Sequence, residues 1–419
     1  MAEKPRVVIV GSGFAGLTAQ NRLAKSGFAV TLVDRNVYST FQPLLYQVAT
    51  AGLTSADVAY PAWTAAHKTH SEFLRGEVVG VDTATRQVQL ADGGVLDFDY
   101  LIIATGVSAA FFGVTGAAEH SFSLYTRHDS IILRNRLMEE LEKRSAGDDS
   151  DLGITIVGGG ATGVELAGTL AELRNIALPA SFPDVDQKRV CVTLIELGPA
   201  LLAPFNKKLQ EYAKRELVKR GVDVRLGTKI ERVESDRVFI AGGAELASDL
   251  TVWAAGISGP EWIGKLGLKT GRGGRLLTGP DLRIVDQDRI FAAGDIGIID
   301  GAPLPQLAQP AIQQGRHVAD QIRSIEAGHP TKAFSYKDKG IMATIGSRSA
   351  VVELPSRIKV RGTLAWLAWL GLHLFFLLGN RNRISALVNL SWRYLTWSRG
   401  GGVIIGDADG EEPGQVVRS

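Results

Sequence analysis

Apolar residues in this chain gather in short unbroken runs closed by glycine, not in long alternating stretches. Val7-Val8-Ile9-Val10 is the first, and such a run reads as a strand buried on both faces. It ends on Gly11-Ser12-Gly13-Phe14-Ala15-Gly16, after which Leu17, Leu23 and Ala24 set up a helical period. A second run over 29–33 stops at Asp34. The segment Phe41-Gln42-Pro43-Leu44-Leu45-Tyr46 with Ala51-Gly52-Leu53 has no regular period and is too apolar for an ordinary surface loop. It is either a core plug or a wall of a cofactor or substrate site. Residues 78–82 and 87–90 predict a hairpin, with Ala91-Asp92-Gly93-Gly94 as the following turn. Tyr100-Leu101-Ile102-Ile103-Ala104-Thr105-Gly106 predicts another buried strand ending in small residues. Residues 126–143 predict a charged amphipathic helix, and the polar stretch 145–151 predicts a boundary. The opening device then returns: Ile154-Thr155-Ile156-Val157, the turn Gly158-Gly159-Gly160-Ala161-Thr162-Gly163, a helix over 164–173, and a strand over 192–195 ending on Glu196. Residues 252–256 close this part as 103–106 close the first. Further on, Arg289-Ile290-Phe291-Ala292-Ala293-Gly294-Asp295 is a strand with an acid at its tip, and a helix opens at residues 307–313 with Pro310 in its first turn.

Strand, glycine-spaced turn, helix and acid in that order suit a dinucleotide. Gly11 permits the tight turn, Gly13 lets the backbone approach a pyrophosphate, and Gly16 lets helix and strand pack closely. The helix N-terminus offers free N–H groups and partial positive charge to the phosphates. Asp34, about 18 residues past Gly16, can accept hydrogen bonds from a ribose. Glu196 has the same place in the second device, at a longer separation that the Pro- and Phe-containing insertion over 178–186 accounts for. No Arg or Lys follows it at once, so this site should prefer NADH over NADPH. A chain seldom needs two such sites unless one dinucleotide passes electrons to the other.

Composition narrows the chemistry. The 419 residues allow two or three domains, and 45% hydrophobic residues supply large cores. A net charge of +2 shows no bias toward nucleic acid, so no nucleic-acid partner is expected. One cysteine, Cys191, excludes a disulfide framework, a cysteine metal cluster and a redox-active cysteine pair within the chain; no metal site is expected. Its apolar neighbours predict a small buried strand residue. The first strand starts almost at the N-terminus, which leaves no room for a signal peptide and predicts a cytosolic location.

Residues 362–379 carry no fixed charge and include Trp366, Trp369, Phe375 and Phe376. Arg357, Lys359 and Arg361 precede them and Arg381 and Arg383 follow. A second apolar segment, 384–397, holds Trp392, Tyr394 and Trp397 together with Arg393. The stretch is short for a spanning helix. A soluble core or dimer interface is a second reading. Trp, Tyr and Arg favour a pair of helices lying in the membrane interface.

The two glycine motifs, Ala104-Thr105-Gly106 and Gly294-Asp295 resemble the flavoproteins with two dinucleotide-binding domains. Within that superfamily, Phe41-Gln42-Pro43-Leu44-Leu45, Thr162-Gly163-Val164-Glu165-Leu166-Ala167-Gly168 and Ala308-Gln309 resemble the type II NADH:quinone oxidoreductases over nearly the whole chain. The resemblance implies an α/β fold with two Rossmann-like domains: an FAD domain over 1–115 and 275–330, an NADH domain over 116–274, and a C-terminal region over 331–419 with interfacial helices. FAD would be held by Gly11, Gly13, Phe14, Ala15, Gly16, Asp34, Arg35, Val79, Ala104, Thr105, Gly106, Gly294, Asp295, Ala308 and Gln309. NADH would be held by Gly158, Gly160, Thr162, Gly163, Glu165, Glu196, Ala255 and Gly256. Hydride would pass from NADH to FAD and two electrons on to a membrane quinone, with Glu165 near the nicotinamide and Gln309 and Gln313 candidates for the quinone carbonyl. The resemblance further implies a monotopic protein on the cytoplasmic face of the membrane and a homodimer. Some relatives carry a lysine near the quinone; residues 365–373 have none, so that role is empty or filled otherwise, His373 being a candidate. Disulfide reductases and sulfide:quinone oxidoreductases share the fold but need paired cysteines. A soluble ferredoxin or rubredoxin reductase is the alternative enzyme, and an NADH-sensing flavoprotein the non-enzymatic one.

Overall fold

The computed structural model describes residues 4–396, which fall into two compact units. Trp397 lies outside the described residues. The first unit comprises 1–40, 60–108 and 257–338; the second comprises 41–59, 109–256 and 339–419. The expected bounds shift: residues 257–274, expected with the NADH domain, lie in the first unit. The segment 41–59 leaves the first stretch and joins the second unit, and so does the C-terminal region from 339 onward. The polar stretch 145–151 is an internal connection, because 109–256 is continuous in one unit.

The first unit is built on a five-stranded parallel sheet in the order Ile290–Ala292, Tyr100–Ile103, Arg6–Val10, Ala29–Asp34, Glu72–Arg75. Alternate residues of each strand serve opposite cores, which is why the strands read as continuous apolar runs. Val7, Ile9, Leu32 and Ile102 pack with Ala15, Ala19, Leu23, Val318 and Ile322 from the helices Phe14–Ala24 and Ala308–Glu326. Val8, Val10, Val33 and Ile103 pack with Val78, Val88 and Leu90 of an antiparallel meander. The predicted hairpin is part of that meander, Val78–Asp82 pairing with Gln87–Leu90.

The second unit repeats the plan. Its parallel sheet runs Phe122–Ser123, Leu250–Trp253, Leu152–Val157, Val190–Glu196, Asp223–Leu226. Val157, Ile195 and Trp253 pack against a second meander through Ile230, Val233 and Val238. Cys191 corrects an expectation: it is exposed, because residues 190–196 alternate and its side chain takes the outward phase. The C-terminal region adds a three-stranded antiparallel sheet, Ile341–Thr344, Ala350–Glu353 and Lys359–Arg361. That sheet lies against the helix Ala161–Glu172 at Gly168, where a Cβ would come 2.7 Å from the Ile345 carbonyl carbon. The helices Thr363–Phe376 and Asn380–Thr396 follow.

Candidate functional site

In the first unit the turn after Arg6–Val10 is held by its acid. Asp34 Oδ2 accepts from the Ser12 backbone N–H and hydroxyl, both at 2.7 Å, and Oδ1 accepts from the Asn36 N–H at 2.8 Å. Gly11 sits at φ +105°, and a Cβ there would meet the Ala104 backbone. A Cβ on Gly16 would drive into the Gly11 carbonyl, whereas one on Gly13 would meet nothing within 4 Å. The turn is thus sealed below and open above, at the N-terminus of Phe14–Ala24, where a pyrophosphate would approach. Gly294 lies between the N-terminal turns of the two helices, near Ala15 and Ala311. Its N–H donates to the buried Gln314 Oε1 at 2.6 Å. Burial lifts the adjoining Asp295 carboxyl to about 6 against the pull of Arg275. The Thr105 hydroxyl and the Gln306 side-chain amide nitrogen are buried without a partner. An uncovered phosphate cradle, a desolvated carboxyl and two orphaned polar groups in one unit fit a polar flavin dinucleotide.

The second unit reproduces this around residues 158–163. Glu196 Oε2 accepts from the Gly159 N–H and Oε1 from the Gly198 N–H, each at 2.6 Å. Gly158 is at φ +114°, a Cβ on Gly163 would drive into the Gly158 carbonyl, and Gly160 is open. Glu196, the 158–163 turn and residues 254–256 stand side by side at the ends of three adjacent strands, where an open α/β sheet takes its ligand.

A second cluster in this unit surrounds Glu165. Burial lifts its carboxyl to about 8, against a hydrogen bond from the Thr344 N–H at 3.3 Å and the favourable influence of the Trp369 indole. That indole Nε1 completes no hydrogen bond, and neither do the buried Tyr46 hydroxyl and Gln42 Oε1. Trp369 is stacked on His373 at 4.0 Å, Tyr46 lies 6.1 Å from Trp369, and Phe41 meets His373 edge-on at 6.2 Å. Burial holds His373 down at about 4, so its ring is neutral, with Nδ1 on the Trp369 carbonyl at 2.7 Å. The apolar 41–46 segment is therefore buried core that also carries two unpartnered polar groups, Gln42 Oε1 and the Tyr46 hydroxyl. A raised carboxyl pKa makes stability greatest below the unfolded value of 4.5 and erodes it as pH rises toward 8. Glu165→Gln should flatten that loss, so the variant melts higher than the parent at pH 8 but not at pH 5. An unchanged difference in melting temperature between the two pH values would contradict a neutral Glu165.

Residues 5–315 match the family model of the pyridine nucleotide-disulphide oxidoreductases. The type II NADH:quinone oxidoreductase Ndh of Mycobacterium tuberculosis is 34% identical over 415 residues, covering 94% of this chain and 89% of that protein. The chain belongs to the type II NADH:quinone oxidoreductase family. A Staphylococcus aureus member is 31% identical over 83% of this chain and 89% of its own length. In fold, the NDH2 of Plasmodium falciparum in complex with NADH matches with a TM-score of 0.89 at 20% identity, covering 96% of this chain and all of that one. The sulfide:quinone oxidoreductase of Aquifex aeolicus matches at 0.76 and 19% identity, over 94% and 96%.

Family membership gives the two turns their context, and the structure sorts the other residues. Phe14, Ala15, Ala104, Thr105, Ala308 and Gln309 belong to the first unit with Asp34 and Asp295; Thr162, Glu165, Ala255 and Gly256 belong to the second with Glu196. Arg35 follows Asp34, and Val79 is an exposed residue of the meander. Gln313 is engaged at both ends of its amide: Nε2 donates to the Lys337 carbonyl at 2.9 Å, and Oε1 accepts from the Lys337 N–H at 3.0 Å. It clips the returning chain to the helix. The neighbouring Gln314 grips Gly294, a role with no sequence signal beyond its helix phase. Tyr46 was placed in the plug-or-wall segment and Trp369 among the membrane-interface aromatics, and nothing local in the sequence pairs either with Glu165.

Proposed function

We propose that this protein is an FAD-dependent NADH:quinone oxidoreductase acting at a membrane surface. The observation that carries the membrane part is the apolar side that the helix Asn380–Thr396 leaves exposed. Its inward face buries Ala386 and Leu390 beside a row of polar anchors: Asn382 donates to the Ala59 carbonyl at 2.8 Å, Ser385 and Asn389 donate to the buried Asp57 at 2.5 and 2.9 Å, and Arg393 donates to Gln47 at 2.6 Å. Its outward stripe is Ile384, Leu387, Val388 and Trp392, and the preceding helix exposes Leu364, Leu367, Leu372 and Phe375. Soluble helices bury their apolar stripe. Here two small or aliphatic residues and a row of hydrogen bonds hold the helix to the protein and leave a second, apolar side for lipid, with Arg381 and Arg383 at the headgroup level. Among the described residues no helix is long and apolar enough to cross a membrane, which suits attachment to one leaflet. The cytoplasmic leaflet is the one that a chain reading NADH would meet.

The first unit's cradle, Asp34 and Asp295 would hold FAD; the 158–163 turn and Glu196 would hold NADH. Bound flavin supplies the two-electron acceptor and donor chemistry. The protein's part is orientation and charge. Gln309, in the first turn of Ala308–Glu326, would donate to a quinone carbonyl, with the helix N-terminus favouring negative charge nearby. Glu165, neutral at pH 7 among Tyr46, Trp369 and His373, would hold a proton within the second unit. His373 is a candidate for the role that the family resemblance gives to a lysine in some members. Gln309→Ala should slow flavin reoxidation by quinone while leaving reduction by NADH intact. Anaerobic titration tests the donor side: NADH should bleach the flavin much faster than NADPH. Glu196→Ala should weaken NADH binding by about tenfold, the cost of losing a charged hydrogen bond, without changing the limiting rate of reduction. Equal bleaching by both nucleotides would contradict the assignment of Glu196.

A further inference from the structure

Phe112 is an aromatic side chain in an unusual setting. It is 72% exposed, more than any other phenylalanine among the described residues, and its backbone is left-handed at φ +52°. Such a conformation is costly for a bulky residue and persists where the surroundings impose it. The surroundings are the tip of the strand Leu250–Trp253. The Ala110 N–H donates to the Gly256 carbonyl at 2.9 Å, the Trp253 indole donates to the Ala110 carbonyl at 2.8 Å, and Phe111 packs on Trp253 at 5.7 Å. Residue 112 is thereby delivered over residue 256. Any Cβ on Gly256 would strike the Phe112 ring, so glycine there leaves room for it.

The sheet order says which part of a dinucleotide would meet that ring. Val190–Glu196, Leu152–Val157 and Leu250–Trp253 are consecutive neighbours. Glu196 on the first marks the adenosine ribose, and the glycine turn on the second marks the pyrophosphate. The third strand's tip, with Gly256 and Phe112, lies on the side away from the adenosine, where the nicotinamide riboside must go. We propose that Phe112 is a positioning residue for NADH, its pre-placed ring packing against the nicotinamide riboside and fixing how that half leaves the pyrophosphate. This rests on the reading of the 158–163 turn as the NADH site. An exposed ring held in place by its own backbone gives contact area with little rotamer entropy to lose on binding.

The test is calorimetric titration of the FAD-loaded protein with NAD+ and with ADP-ribose, which lacks the nicotinamide. In Phe112→Ala the NAD+ dissociation constant should rise by about tenfold, the scale of a lost aromatic stack, while that of ADP-ribose stays within about twofold. Phe112→Tyr should restore NAD+ binding, since it keeps the ring face. The KM for NADH should rise in step with the NAD+ constant. Equal weakening of both ligands would make Phe112 a prop of the fold and overturn the proposal, as would unchanged NAD+ binding. A parent protein that binds neither ligand would instead remove the NADH site itself, and the proposal with it.

Discussion

Gly163→Ala should leave a yellow protein that NADH no longer bleaches, and Gly16→Ala one that no longer retains its flavin. The two glycines do the same job in the two units. A Cβ on either would drive into the carbonyl of the glycine that opens its turn, Gly158 or Gly11. The clash is with backbone, so no rotamer relieves it, and the helix must back away from its strand. The N–H groups at the helix start then leave the position from which they would bind phosphate. Overpacking of this kind costs about 1–3 kcal/mol and the misplaced phosphate contacts add to it, so binding should fall by about a hundredfold or more. Flavin absorbance after gel filtration reads the first site, and anaerobic bleaching reads the second. A Gly163→Ala protein bleached by NADH at the parent rate would show that the second turn is not where the nucleotide binds.

Charges placed on the outward stripe of the C-terminal helices should release the protein from membranes. Leu367→Glu with Val388→Glu alters two exposed positions, at 51% and 57% exposure, one on each helix. Neither change touches the inward hydrogen bonds of Asn382, Ser385, Asn389 and Arg393. Each charge forfeits the burial of a large apolar side chain, roughly 1.5–3 kcal/mol, and adds the cost of a carboxylate in the interface. Co-sedimentation with liposomes of mixed zwitterionic and anionic lipid should fall by at least about a hundredfold in affinity. Bleaching by NADH should be unchanged, and turnover with a long-tailed quinone in those liposomes should drop more than turnover with a water-soluble one. Should the parent protein stay in the supernatant at low salt, the exposed stripe is an interface with protein instead.

Much of this was legible in the sequence, for a physical reason. A strand buried on both faces leaves an unbroken apolar run, and a turn that must bring a helix close to its strand leaves glycine at fixed spacing. Both devices, their acids and the Pro310 helix start follow from those constraints. Other features depend on phase or on partners distant in sequence. Cys191 sits in an apolar neighbourhood but faces outward. Gln313 and Gln314 differ by one helical step, which gives one a backbone clip and the other the grip on Gly294. The C-terminal helices were visible as apolar and Trp-rich, but not which apolar residues they leave exposed, because the seating of the second depends on Asp57, some 330 residues earlier in the chain. The 41–46 segment read equally as plug or wall, and the structure buries Phe41, Leu44, Leu45 and Tyr46 as a plug. Phe112 was invisible, since nothing local marks a phenylalanine held over a distant glycine.

The central claim is that electrons enter from NADH and leave to a quinone, and sequential-mixing stopped-flow under anaerobic conditions tests it most directly. The flavin is first reduced with one equivalent of NADH, and the reduced protein is then mixed with quinone. Absorbance near 450 nm, the ordinary flavin band, should vanish in the first mixing and return fully in the second, at a rate that rises with quinone concentration. A protein that NADH reduces but that quinone leaves bleached, while a ferredoxin restores its colour, would contradict the account.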